Sequence, residues 1–161
     1  MLALLIAAFV TAADQITKFI IRSDYILAES RTVIPGFMDL TYLRNTGAAW
    51  GMLGGQNAFL IIFSVVMLAL MIFFRKTFLS SALDHRIALG LMSGGILGNL
   101  IDRVRLGWVT DFLDFYIKEW HWPAFNIADM AITCSVIVMV VYSVFSREKK
   151  DPASCSSKAE S

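Results

Sequence analysis

Charge is scarce in this chain and has no preferred sign. Of 161 residues only 17% are Asp, Glu, Lys or Arg, and 14 basic against 13 acidic side chains leave a net charge of +1. That balance excludes the broad basic surface by which proteins hold nucleic acid. Histidine and cysteine are just as thin: His85 and His121 are the two histidines, Cys134 lies in an apolar run, and Cys155 lies in a polar C-terminal stretch. Neither a disulfide framework nor a zinc site is expected, and no cofactor or obligate protein partner is indicated. The N-terminal apolar run has neither the basic leader nor the A-x-A site of a secretory signal. It continues through Asp14 and Lys18 to residue 21, so a retained spanning helix is expected.

What is abundant is apolar surface. Hydrophobic residues make up 57% of the chain and mean hydropathy is +0.65, well above the range of a soluble domain this size. Four segments, at about 2–21, 57–74, 87–103 and 124–146, come near the ~20 helical residues that cross a bilayer core. The expected fold is therefore all-α and membrane-embedded: one domain over 1–146 with four transmembrane helices, followed by a polar tail, 147–161, expected to be disordered. Arg75, Lys76 and Arg86 cluster between the second and third segments, and Arg147, Lys149, Lys150 and Lys158 lie in the tail. By the excess of positive charge on cytoplasmic loops, both termini are expected to be cytoplasmic.

The first outer connection, 23–56, is too long for a simple turn. Its stretch 32–43 is rich in β-branched and aromatic residues and is broken at Pro35-Gly36, which predicts two short strands and a small sheet at the membrane surface. Small and amphipathic residues alternate over 47–55, as in an interfacial segment. Between the third and fourth spans, Trp108, Phe112, Phe115, Tyr116, Trp120 and Trp122 crowd a connection that resembles an interfacial aromatic belt.

Polar residues inside the spans recur at helical spacing. Asp14 and Lys18 stand at i and i+4, Asn99, Asp102 and Arg103 at i, i+3 and i+4, and Asn126 and Asp129 at i and i+3. Asp14 with Lys18 reads as a neutralised pair that tolerates burial; Asn99, Asp102 and Arg103 either tie helices together or line a site. Asp129 has no obvious cation beside it and is the strongest functional candidate. Asp111 is the other, but spacing does not separate it from Asp114 three residues on. Two carboxylates brought to one point in a poorly solvating site share a proton, which equips an aspartyl hydrolase. A proton relay through Asp14, Asp102 and Asp129 is the competing reading, although a relay spreads acids through the bilayer and Asp102, Asp111 and Asp129 cluster toward one face.

The stretches Asp14-Gln-Ile-Thr-Lys18, Arg44-Asn-Thr-Gly-Ala-Ala-Trp50, Gly94-Gly-Ile-Leu-Gly-Asn-Leu-Ile-Asp-Arg103, Val109-Thr-Asp-Phe-Leu-Asp-Phe115 and Phe125-Asn-Ile-Ala-Asp129 resemble those of lipoprotein signal peptidase, the bacterial intramembrane aspartyl protease family also called signal peptidase II. The resemblance implies that Asp111 and Asp129 are the catalytic pair, choosing Asp111 over Asp114. It further implies that Asn45, Asn99, Arg103 and Asn126 line the site while Asp14, Lys18 and Asp102 support it. Thr110 stands where an aliphatic residue is frequent. The implied substrate is a diacylglyceryl-modified prolipoprotein cut on the N-terminal side of its lipidated cysteine. The implied place is the bacterial cytoplasmic membrane, among membrane lipids, with the site and a small sheet cradle at the extracytoplasmic face. The Gly-x-Gly-Asp motif of other intramembrane aspartyl proteases is absent.

Overall fold

A computed structural model describes residues 1–47, 52–74 and 83–148. In chain order the elements are α1 (Leu2–Asp24), β1 (Ser30–Ile34), β2 (Met38–Asn45), α2 (Asn57–Phe73), α3 (Leu83–Leu106), β3 (Val109–Ile117), β4 (Trp120–His121) and α4 (Ile127–Glu148). Among the described residues three helices, α1, α3 and α4, are long and apolar enough to cross a membrane. The second expected span is an apolar helix of 17 residues.

The helices are polar inside and apolar outside. On α1 the buried face carries Val10, Asp14, Lys18 and Ile21 at helical spacing, while Phe9 and Phe19 are 75% and 65% exposed. That inversion of the soluble pattern is what a hydrocarbon solvent selects. On α3 the buried face is mostly small: Ala88, Gly90, Gly94, Gly95 and Gly98 precede Asn99 and Asp102. Small residues let helix backbones close in where lipid supplies no hydrophobic drive to association. Gly95 shows how close: a Cβ there would lie 2.5 Å from the Ala128 carbonyl oxygen of α4 and 2.8 Å from Ile132 Cγ1. On its other side α3 packs on α1, where Thr11 Oγ1 donates to the Gly94 carbonyl at 3.1 Å.

The strands form one antiparallel sheet ordered β1-β2-β3-β4. The two strands predicted around Pro35-Gly36 are β1 and β2. The connection read as an aromatic belt holds a third strand, β3, and its short hairpin with β4. Val109, Thr110, Phe112, Phe115, Tyr116 and Ile117 are good strand residues, and Asp111 and Asp114 disguise the pattern by interrupting it. Helix ends also differ from expectation. α1 runs on to Asp24, α3 spans Leu83–Leu106 rather than 87–103, and α4 is Ile127–Glu148 rather than 124–146. α3 stops at Gly107, whose φ of +86° suits the left-handed residue that ends a helix and whose N–H donates to the Arg103 carbonyl at 3.2 Å. The 149–161 part of the tail and residues 48–51 of the interfacial segment lie outside the described residues.

Ile21, Tyr42 and Phe112 form a buried cluster, with Tyr25, Leu40, Leu113 and Ile127 packed around it. It joins the sheet to the ends of α1 and α4, and so sets β3 against the helices. Replacing Gly95 by Ala should push α3 off α4 and cost about 1–3 kcal/mol, the usual effect of overpacking. Thermal unfolding in detergent measures it; an unchanged midpoint would contradict the close approach at Ala128.

Candidate active site

The site is built outward from a buried ammonium. Lys18 Nζ lies 2.9 Å from Asp14 Oδ2, 2.9 Å from Asn99 Oδ1 and 3.5 Å from Asp102 Oδ2, so its three protons meet three acceptors. Lys18 and Asp14 are fully buried and Asp102 is 1% exposed. A second donor, Gln15 Nε2, reaches Asp102 Oδ1 at 3.2 Å and the Gly98 carbonyl at 3.1 Å.

Each buried acid then grips the start of another element. Asp14 Oδ1 accepts from the Ala128 N–H at 3.0 Å, and Asp102 Oδ2 accepts from the Thr110 N–H at 3.0 Å. Ala128 precedes Asp129 and Thr110 precedes Asp111. The ion cluster thus holds the backbone one residue before each of the two acids singled out in the sequence.

The asparagines hold the carboxylates themselves. Asn126 stands just before α4, where its Oδ1 accepts from the Asp129 N–H at 3.0 Å while Asp129 Oδ2 accepts from the Asn126 N–H at 3.2 Å. This reciprocal arrangement is a capping box that happens to use the acid at the third helical position. The other end of the same amide, Nδ2, donates to Asp111 Oδ1 at 2.7 Å. Asn45 Nδ2 donates to Asp111 Oδ2 at 2.9 Å, and Asn99 Nδ2 donates to Asp129 Oδ1 at 2.8 Å. Both amide orientations follow from chemistry: Lys18 has no acceptor to offer Asn99, and the Asp129 N–H has none to offer Asn126.

Asp111 and Asp129 line a single cavity of about 1020 Å³ together with Asn45, Asn99, Arg103 and Arg44. Apolar groups complete its wall, among them Leu43, Val109, Trp122, Phe125, Met130 and Ile132. Burial of Asp111, reinforced by the nearby charge of Asp129, raises its pKa to about 7 against the opposing hydrogen bonds from Asn45 and Asn126. Arg103 donates to the Gly47 carbonyl at 3.1 Å. Among the described residues no three of His, Cys, Asp or Glu converge where they could hold a metal ion.

Asp114 lies elsewhere. Three residues from Asp111 on a strand, it takes the opposite face, absent from the cavity wall, where both its oxygens stand 3.0 Å from His121 Nδ1.

Comparison with known proteins agrees with these motifs. The profile of the family described as Signal peptidase (SPase) II matches residues 6–145. The chain belongs to the signal peptidase II family. It is 42% identical over 152 residues to the lipoprotein signal peptidase of Syntrophus aciditrophicus, covering 91% of this chain and 94% of that one. Against the lipoprotein signal peptidase of Staphylococcus aureus (strain MRSA252) it is 41% identical over 138 residues, covering 86% and 85%. Its fold is similar to a bacterial membrane enzyme solved in meso at 2.3 Å, with TM-score 0.87, 38% identity and coverage of 93% and 92%. A second such enzyme, at 1.9 Å, gives TM-score 0.80 and 40% identity over 88% and 91%. Membership in signal peptidase II makes the chain a peptidase.

All nine site residues expected from the family pattern fall in one connected group, and Gln15, Arg22 and Thr110, which were not expected, bond into it. Gln15 shares a helix face with Lys18 at i+3. Arg22 continues the Asp14 and Lys18 row by another turn, and Thr110 is a buried hydroxyl beside Asp111. Because the Asp111 pKa is raised, the unfolded chain gives up that proton near pH 4 while the folded chain keeps it to about 7. The associated stability is complete below the unfolded value and is lost as pH rises through about 7. Asp111→Asn should therefore be more stable than the parent at pH 8, by about 1 kcal/mol or more, and show a flatter dependence between pH 5 and 8. Detergent melts across that range check it; parallel curves would contradict it.

Proposed function

We propose that this chain is an intramembrane aspartyl endopeptidase that removes the signal peptide from diacylglyceryl-modified prolipoproteins, cleaving on the N-terminal side of the lipidated cysteine. The observation that carries the reading is that Asp111 of β3 and Asp129 of α4 line one cavity and are bridged by a single side chain, Asn126. Relatives named lipoprotein signal peptidase support the substrate class.

In this reading the two carboxyls hold one proton between them, because a second negative charge in the same buried place is costly. The ionised member takes a proton from a water placed between them. The protonated member polarises the scissile carbonyl and then protonates the leaving amine. Water attacks directly, so no covalent intermediate forms. Asn45, Asn99 and Asn126 occupy one lone-pair direction on each oxygen, apart from Asp129 Oδ2, which the Asn126 N–H serves, and so aim the remaining ones. The apolar wall of Leu43, Val109, Phe125, Met130 and Ile132 offers acyl chains a continuous surface.

The membrane arrangement follows the same proposal. α2, at about 1.5 Å per residue, reaches the lower end of the ~17–25 residues that span a bilayer, and it is taken as the fourth span. The sheet lies at the end of α1 that carries Arg22 and Asp24, together with Asp111 and Asp129, and that end is assigned to the extracytoplasmic face. Both termini are then cytoplasmic, in the bacterial cytoplasmic membrane.

Purified protein and a diacylglyceryl-modified precursor test the proposal. Asp111→Asn and Asp129→Asn should each lose activity by about 100-fold or more while folding normally, and Asp114→Asn should stay within a few-fold of the parent. Full cleavage by either of the first two would overturn the pair; equal loss in Asp114→Asn would overturn the choice between the neighbours.

A further inference from the structure

The α1 face that carries Asp14 and Lys18 continues for one more turn to Arg22. Arg22 Nη1 donates to Thr110 Oγ1 at 3.0 Å and stands 3.5 Å from Asp102 Oδ1. Thr110 is 0% exposed, and every polar group it has is engaged. Its N–H donates to Asp102, its carbonyl accepts from Asn126 Nδ2 at 3.4 Å, and its hydroxyl accepts from Arg22. The next residue is Asp111, which accepts from the same Asn126 amide at 2.7 Å. A residue bonded on three sides has no freedom to shift, so the Cα of its neighbour is placed by those three bonds.

Charge makes a second link. The helices bring Lys18 and Arg22 from α1 and Arg103 from α3 against Asp14, Asp102 and Asp129, and β3 adds Asp111. From β2, Arg44 and Asn45 face the same cavity, with the Arg44 guanidinium 4.3 Å from the Trp108 ring centre. Arg44 is exposed to solvent; the three less exposed cations, Lys18, Arg22 and Arg103, oppose four carboxylates, and a single proton on the Asp111 and Asp129 pair brings that group to neutrality.

We propose that Arg22 and Thr110 are positioning residues for the Asp111 and Asp129 pair: Arg22 clamps the start of β3 through Thr110 and supplies the third cation that lets the pair hold only one proton. The proposal rests on the peptidase reading above. It separates two effects that one substitution confounds. Thr110→Val removes the clamp and leaves the charge. Arg22→Lys keeps the charge with a different shape. Arg22→Gln removes both.

The experiment follows kcat and KM against pH for cleavage of a diacylglyceryl-modified precursor by the parent and these three variants. Arg105→Gln, which changes an exposed charge on α3, is the control. Loss of the Arg22 cation favours the protonated carboxyls, so in Arg22→Gln the acid limb should move up by about half a pH unit, with kcat lowered about tenfold and KM little changed. Arg22→Lys should return the limb to the parent position. Thr110→Val should lower kcat several-fold with the limb unmoved, and Arg105→Gln should match the parent. An unmoved limb in Arg22→Gln, or an equal shift in Arg105→Gln, would overturn the charge role; parental kcat in Thr110→Val would overturn the clamp. Should Arg22→Gln fail to fold, a limb displaced in Arg22→Lys or parental kcat in Thr110→Val still decides against the proposal. A parent enzyme that leaves the precursor uncut would instead strike the peptidase reading.

Discussion

A lysine with no exposure to solvent, Lys18, is the interaction on which the rest of this molecule depends. Its ammonium is shared by Asp14 of its own helix and by Asn99 and Asp102 of α3, so a charge that would be prohibitive alone becomes the tie between two helices. Each carboxylate also accepts a backbone N–H at the start of another element, Asp14 through its other oxygen and Asp102 through the Oδ2 that faces Lys18. Through Asp14 the tie extends to α4 and through Asp102 to β3. Removing the ammonium would leave Asp14 buried without its cation and Asp102 with Arg22 alone, and an uncompensated buried charge costs about 3–5 kcal/mol in comparable cases.

That arrangement treats the two pairs of carboxylates differently. Asp14 and Asp102 are matched by cations, whereas Asp111 and Asp129 receive mainly neutral amide donors from Asn45, Asn99 and Asn126. Amides orient a carboxylate without cancelling its charge, so the Asp111 pKa stays high, near 7, under the weight of burial and the neighbouring acid. In the proposed reading this is what keeps one proton available at neutral pH for a peptide carbonyl. The small-residue face of α3 serves the same end, since α1 and α4 reach each other's polar groups only by closing on a helix with little side-chain bulk.

Much of this was legible in the sequence because polar residues in apolar helices are informative by their spacing. Asn99, Asp102 and Arg103 share a face, and so do Asn126 and Asp129, as the i, i+3 and i+4 intervals require. Two apolar, β-branched runs broken at Pro35-Gly36 marked β1 and β2. β3 was not legible: its two aspartates interrupt the strand pattern, and its pairing with β2 is set by tertiary contact. The choice of Asp111 over Asp114 depended on the family resemblance, because only the strand's alternation places them on opposite faces. Partners were the least visible. That Asp102 would grip the Thr110 N–H, or that Gln15 and Arg22 would join the cluster, depends on how α1 and α3 cross, although both lie within a turn or so of Lys18 on α1.

In the proposed reading Asp111 and Asp129 hold one proton between them at neutral pH. Infrared spectroscopy of protein labelled with ¹³C-aspartate reports protonated and ionised carboxyls directly, and a titration from pH 5 to 9 follows their exchange. A protonated-carboxyl band is expected at pH 6, lost as pH rises through about 7 and missing from Asp111→Asn. A parent spectrum with every aspartate ionised at pH 6, or a band that survives unchanged in Asp111→Asn, would contradict it.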